Sequence, residues 1–430
     1  MNSRDRFLEV MNFNTSVRAT KGEFGFWGSA IERWYKEGLP KNKYPRIPTN
    51  ISTTHGSLYT AVWTHEWRQN RTMFEKMFLE PEKEIKLPHG CAAVSTGLYY
   101  PSQGFAQDHD VASYFNFDKI PIVVNVEQLI YPHFEIKVLS ESERYIDYID
   151  IDGATRRYSK EQQVLPAGLD FLVKDQKSWN ELKEQRLRLD NIKERFPSNW
   201  SDLVKDYKSR DYPLTFGGYP NGIFGSLTHL LGYENLFVFY YYEPALIKDM
   251  LDRITDIWIA VWEEVLGYVD VDMANIWEDV SSGRGSMISP ATFKEFVSPY
   301  YKKITDFLKS KGVNIIFVDT DGQCEELIPL FVEAGVTGFY PMEVSAGMDV
   351  VKARKRFPEI QLMGGIPKSD IALGKARIDE FLEPVEWLLK QGGYMPYGDH
   401  FVPPEVPWEF FKYYRDKLND IIDKTAKENQ

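Results

Sequence analysis

From residue 212 onward, short apolar runs alternate with longer stretches in which apolar positions recur every three or four residues. The runs read as strands buried on both faces, and the stretches as amphipathic helices. Strands are predicted over 212–220, 274–280, 314–321, 336–343, 360–367 and 394–400, and helices over 244–267, 289–312, 325–334, 348–357, 369–390 and 407–424. The boundaries carry their own chemistry. Pro244 stands at a first helical turn and Gly267 at an end; Ser289 offers a cap before Pro290, and Gly312 a stop. Strands joined through helices by short connections pair in parallel, with helices covering them. Two N-terminal runs, 23–27 and 120–124, bring the strands to eight, which predicts a TIM (β/α)8 barrel of the α/β class. A doubly wound open sheet is the competitor, but no glycine-rich phosphate loop follows the first strand.

Three regions leave the repeat. Residues 48–118 are rich in His, Trp, Tyr and turn residues, and are expected to form an insertion over one mouth of the barrel. Residues 133–138 and 145–151 alternate and are followed by Asp152-Gly153, a hairpin signal, so 133–165 is predicted to be a β-ribbon excursion. Residues 176–210 are highly charged and read as a solvated helical segment. The whole span 1–430 is read as one barrel domain carrying these excursions.

Composition narrows the partners. The 430 residues are 43% hydrophobic, ample for a large core. A net charge of -12 argues against nucleic acid or an anionic membrane as the main partner. Two cysteines, Cys91 and Cys324, make neither a disulfide framework nor a thiolate-rich zinc cluster. No opening apolar run reads as a signal peptide, and no stretch approaches the ~20 apolar residues of a membrane span, so a soluble, cytoplasmic chain is expected. Aromatics reach 15%, which suits a pocket for a flat or apolar ligand.

In βα barrels the active site forms at the C-terminal ends of the strands. Acids gather there: Glu278 and Asp279, Asp319 and Asp321, Glu343, and Asp399 beside His400. On a strand, Asp319 and Asp321 would point the same way. Clustered carboxylates are costly unless paired or bound to a cation. Asp319, Asp321, Glu343 and His400 are therefore candidate ligands of a divalent metal, with a plain strand-closing turn as the alternative for the two aspartates. Glu278 and Asp279 are candidate acid–base groups, with hydrogen bonds to loop amides as their alternative. His55, His65, His89 and His109 lie with Cys91 in the insertion, at spacings that fit no zinc pattern. Cys324 is expected to be a buried cysteine at a helix start.

These residues resemble the uroporphyrinogen decarboxylase superfamily and, within it, the corrinoid-dependent methyltransferase branch. The resemblance rests on Glu278-Asp279, Ile288-Ser289-Pro290, Asp319 through Gly322, Pro341 through Glu343, Gly364 through Lys368, and Gly392-Gly393-Tyr394 through Asp399-His400. Arg4 through Phe7, and Trp34 with Glu37 through Pro40, fit the same branch, so the resemblance covers 1–47 and 170–425. Methyltransferases of this superfamily, and the related cobalamin-independent methionine synthases, bind zinc through His-x-Cys, a later Glu and a final Cys. Asp319 and Asp321 fall on His-x-Cys, Glu343 (22 residues past Asp321) on the Glu, and His400 on the last Cys.

The replaced thiolates imply a harder oxygen and nitrogen site. The resemblance then implies a zinc-dependent enzyme that moves a methyl group from a small donor to the cob(I)alamin of a separate corrinoid protein. A methoxylated aromatic (O-demethylation) suits such a site, with the metal as Lewis acid on the ether oxygen. Glu278 or Asp279 would handle a proton, and Trp27, Tyr219, Trp277 and Lys368 would contact substrate. A methylcobamide-to-thiol methyltransferase and a non-catalytic binding member stay open as alternatives, and a homodimer is compatible with either. Uroporphyrinogen decarboxylation is disfavoured, because 4–47 holds no RQAGR-type segment and an acidic mouth repels a poly-carboxylate.

Overall fold

The computed structural model describes residues 1–40, 109–134, 137–150, 152–159, 166–197 and 200–428. Residues 48–108 of the expected insertion, with His55, His65, His89 and Cys91, lie outside the described residues.

Seven strands form one parallel sheet, and each pairs with its neighbour in chain order: Ile122–Val123, Leu214–Gly217, Met273–Trp277, Ile315–Asp319, Gly338–Tyr340, Gln361–Met363 and Tyr394–Met395. Asp319 stands in register with both Trp277 and Tyr340, so three strand ends share one rim. The run 23–27 forms no strand; it joins through a single parallel bridge, Phe26 to Val402. Both ends of the sheet nevertheless face one interior. Glu23 and Phe24, Val123, Met395 and Tyr397 line the same cavity. The sheet is thus a curled parallel half-barrel, consistent with a TIM-like barrel. An ion pair assists the closure. Arg415 Nη1 lies 3.3 Å from Glu23 Oε2, with both side chains at 1% exposure or less, while Glu23 Oε1 accepts the Gly398 N–H.

Helices cover the outside for the reasons the chain gives locally. Pro244 opens Pro244–Leu266, whose buried Ile254, Trp258 and Trp262 recur at helical spacing. Trp262 stacks on Phe216 of the sheet at 5.2 Å and donates its indole N–H to Gln128 at 2.7 Å. Ser289 caps Pro290–Phe296 by accepting the Thr292 N–H at 3.0 Å. The helix predicted over 289–312 is in fact two, because Pro299 opens Ser298–Ser310 and has no N–H for a bond to the preceding turn. The helix predicted over 369–390 is three pieces, Lys368–Leu373, Lys375–Leu382 and Val385–Gln391, separated at Gly374 (φ +99°) and at Pro384. Ser3–Met11, Gly28–Glu37 and His109–Tyr114 were not foreseen, nor was the long Ile223–Tyr242, bent at Gly232 and buried along its first half.

The excursion after residue 133 is a four-stranded antiparallel sheet, Lys137–Glu141, Tyr145–Ile149, Thr155–Ser159 and Ala167–Asp170. Gly153, at φ +84°, turns the chain between its second and third strands. The charged stretch from 176 forms Gln176–Arg186 and Trp200–Lys208, each burying one stripe, Trp179 with Leu182 and Leu203 with Tyr207. No helix among the described residues is long and apolar enough to cross a membrane.

Candidate functional site

The rim at the C-terminal strand ends holds the acids, and neighbouring elements assign each a different task. Glu278 is fully buried. Its carboxylate accepts the N–H groups of Ile223 at 2.8 Å, Phe224 at 2.7 Å and Gly225 at 3.1 Å, and the Tyr301 hydroxyl. It therefore caps the first turn of Ile223–Tyr242, where N–H groups lack helical partners. A Cβ on Gly222 would lie 1.6 Å from the Trp277 carbonyl oxygen, so only glycine lets the helix start so close to the strand end. Burial pushes the Glu278 carboxyl up to about 7, against the four hydrogen bonds that favour its anion. Sequence reasoning offered Glu278 and Asp279 as a pair; their surroundings separate them. Asp279 sits in the left-handed region (φ +46°) and accepts the Asp321 N–H at 3.2 Å. Burial, then the charge of Asp321, raises its carboxyl well above the usual range.

Asp319 and Asp321 do not share a strand face. The strand ends at Asp319, and Gly322 (φ +79°) turns the chain under the 281–286 hairpin, where a Cβ would meet Ser281 at 2.6 Å. Asp319 accepts the Tyr340 hydroxyl at 3.0 Å, and burial with the nearby charges of Asp279 and Asp321 raises it well above the usual range. Asp321 turns to His400, whose Nε2 lies 3.3 Å from Asp321 Oδ2. Burial would raise Asp321, but the charge and hydrogen bond of His400, with Lys368 behind them, hold it below its ordinary value. Glu343 accepts the Gly322 N–H at 2.9 Å and the Ser345 hydroxyl at 2.8 Å. Lys368 lies 3.8 Å from Glu343 and 3.5 Å from Asp399. Asp399 accepts the Val344 and Lys368 N–H groups at 2.8 and 3.0 Å, which ties two mouth loops together.

Aromatic rings wall this mouth. His400 stacks on Phe24 at 4.8 Å and meets Phe401 edge-on at 4.6 Å, and Trp27 packs against Phe401 at 6.2 Å. On the other side Tyr219 meets Trp277 at 4.5 Å, and His229 lies 5.1 Å from Tyr219 and 5.3 Å from Trp277. The antiparallel sheet reaches that wall through buried charges. Arg156 bonds Asp150 at 2.9 Å and Asp152 at 2.7 Å, and its Nη2 lies 3.1 Å from His229 Nδ1. Sequence reasoning missed this cluster, and it also missed Asn275, whose amide donates to the Tyr340 hydroxyl. The available signal was an asparagine inside an otherwise apolar strand, since a buried amide requires partners.

Of the four candidate ligands, the structure brings Asp321 and His400 together and leaves Asp319 and Glu343 on other partners. Among the described residues no three His, Cys, Asp or Glu side chains converge as a metal-binding group. In kind, however, the donors suit a cation. Burial and neighbouring carboxylates raise Asp279 and Asp319 well above the usual range, a cost that a cation would relieve, and the adjacent donors Asp321 and His400 are an oxygen and an imidazole nitrogen.

A curled parallel sheet whose C-terminal rim gathers acids, histidines and aromatic rings defines the class of molecule: a barrel-type α/β protein with its candidate site at the strand ends. The family model described as uroporphyrinogen decarboxylase (URO-D) matches residues 203–416, the segment that supplies all of the rim except residues 24–27. A uroporphyrinogen decarboxylase from Anaeromyxobacter sp. is 26% identical over 190 residues, 44% of this chain and 52% of its own. One from Sulfurovum sp. is 22% identical over 186 residues, 43% of this chain and 51% of its own. These matches support the superfamily; this chain spans about half the length of the curated relatives it matches. A 3-keto-L-gulonate-6-phosphate decarboxylase structure from Vibrio cholerae aligns over 53% of this chain and 80% of its own at 11% identity, but its TM-score of 0.25 carries no argument.

Proposed function

We propose that this chain is a metal-dependent methyltransferase of the uroporphyrinogen decarboxylase superfamily, which moves a methyl group from an aryl methyl ether to the cob(I)alamin of a separate corrinoid protein. The observation that carries the reading is the acid-rich, aromatic-walled mouth with Asp321 and His400 adjacent at 3.3 Å. Those two residues would hold the cation, with Asp319 and Glu343 as further oxygen donors; zinc bound there supplies Lewis acidity to an oxygen. Phe24, Trp27 and Phe401 offer faces and edges to a flat donor. Asp279, whose carboxyl burial and the charge of Asp321 raise well above the usual range, would give a proton to the departing oxygen. Lys368 offsets the charge of Glu343 and Asp399. In such a transfer the oxygen–methyl bond would break, the oxygen would keep its electron pair and take the proton from Asp279, and a reduced corrinoid on its own protein would supply the pair for the new bond to carbon.

The test combines the protein, zinc, a reduced corrinoid protein and a panel of methoxylated aromatics. Methylated corrinoid should appear with at least one donor, and its absence with all of them would end this reading. His400→Ala should lose bound metal; unchanged metal content would overturn the ligand set. The names of the two relatives favour a second reading, decarboxylation of a carboxylated tetrapyrrole, which release of carbon dioxide from uroporphyrinogen would reveal.

A further inference from the structure

A chain of hydrogen bonds crosses three adjacent strands under the rim, from Met273–Trp277 to Gly338–Tyr340 and back to Ile315–Asp319. The Asn275 amide nitrogen donates to the Tyr340 hydroxyl, and that hydroxyl donates to Asp319 Oδ2 at 3.0 Å. Asn275 and Tyr340 are buried, whereas Asp319 closes its strand only partly buried. Register explains the reach. Asn275 stands opposite Phe317, two residues before Asp319, and Tyr340 stands opposite Asp319 itself. The Tyr340 ring packs 6.3 Å from Phe24 and 6.0 Å from Phe317, which fixes the place of its hydroxyl.

The direction of the chain follows from its donors. Because the phenol oxygen accepts the Asn275 N–H, its own proton is left for Asp319. The reverse amide orientation would leave two N–H donors unmet in place of the one amide oxygen that lacks a partner. An aspartate carboxyl alone turns easily about its last torsion. Bonded at Oδ2, this one keeps one plane, and among the described residues its Oδ1 accepts no hydrogen bond. The charges of Asp279 and Asp321 act on the same carboxyl, which places it with the rim acids.

We propose that Tyr340 and Asn275 are positioning residues of the rim: by fixing Oδ2 they present Asp319 Oδ1 to a divalent cation. Neither residue touches the cation; Tyr340 acts through Asp319, and Asn275 acts through Tyr340. The inference rests on the metal-dependent reading above and extends it to two residues inside the barrel. A carboxylate held in one orientation beforehand loses less freedom when it coordinates. Partners that orient a ligand in this way are worth about 10–100-fold in metal affinity.

The test measures the zinc affinity of the full chain by calorimetry and the visible spectrum of its cobalt(II) form, with no substrate or corrinoid present. Tyr340→Phe should bind zinc about 10–100-fold more weakly and shift the cobalt bands. Asn275→Leu should lose less, since the phenol still reaches Asp319. In an Asp319→Ala background, itself weakened, neither substitution should change affinity or spectrum further. A structural role would lower affinity in both backgrounds, so a further loss there would overturn the proposal. So would an Asp319→Ala chain that binds zinc as tightly as the unaltered one. Should Tyr340→Phe fail to fold, Asn275→Leu with and without Asp319→Ala makes the same comparison. If the unaltered chain binds no zinc, the metal reading falls and takes this inference with it. If the unaltered chain binds zinc and Tyr340→Phe binds it equally, the positioning role alone falls.

Discussion

Glu278 and Asp279 differ by one position, and almost everything about their chemistry follows from that step. Glu278 points to a helix start and holds three amides and a phenol; Asp279 points to the rim and faces Asp321. Glu278→Ala would orphan four buried donors. It should cost about 2–4 kcal/mol in urea unfolding, a cap plus an unmet buried group, and Glu278→Gln, which keeps an acceptor oxygen, should cost less. Equal losses in the two variants would contradict the capping role. Asp279→Asn should leave stability within about 1 kcal/mol, since an amide oxygen still accepts the Asp321 N–H and one like charge is removed. The sequence showed that acids stand at this strand end, because Glu278 and Asp279 close an apolar run. It could not show which one the structure uses as a cap, since that depends on Ile223–Tyr242, a helix hidden in a sequence broken by Gly225 and Gly232.

Elements were legible where proline, glycine or serine punctuates them. Pro244 and Ser289 stand where local rules put them. Boundaries failed where a helical pattern runs past a breaker, as it does through Pro299 and Pro384. Strand lengths failed for a related reason: apolar character continues into the rim loops, so 394–400 reads as one strand while pairing stops at Met395. Packing between elements was not visible at all. Gly217 sits at φ +79°, and a Cβ there would lie 2.0 Å from the Asn275 carbonyl oxygen of the next strand. Gly217→Ala should therefore lose about 2–5 kcal/mol, strain and overpacking together, read from the unfolding midpoint. The antiparallel sheet depends on one guanidinium in a similar way. Arg156→Met leaves Asp150 and Asp152 buried without their partner and should cost about 3–5 kcal/mol. A loss under 1 kcal/mol would show that the sheet does not rely on this cluster to dock on the rim.

Over the whole molecule, Glu23, Glu278, Asp279, Asp319 and Asp399 share one tendency, since burial raises all five carboxyls. A raised folded value means that the native state holds protons which the unfolded chain has already released. That contribution is complete below the ordinary carboxyl range, near pH 4, and for Glu278 it is lost as pH rises through about 7. Urea stability should thus fall between pH 5.5 and pH 8, and Glu278→Gln should flatten the slope; a rise over that range would refute the assignment. The parallel α/β plan and a barrel were predicted from the alternating pattern and the strand count, yet the means of closure was not. It depends on Glu23 meeting Arg415, which no local pattern encodes. That pairing also sets a schedule. The two partners are 392 positions apart, so a chain emerging from the ribosome carries Glu23 through that many further residues before the guanidinium arrives. At about 5–20 residues per second that interval is roughly 20–80 seconds, during which the Ile122–Val123 edge stands without its closing segment, and nascent chains stalled just short of residue 415 should be the form most in need of a chaperone.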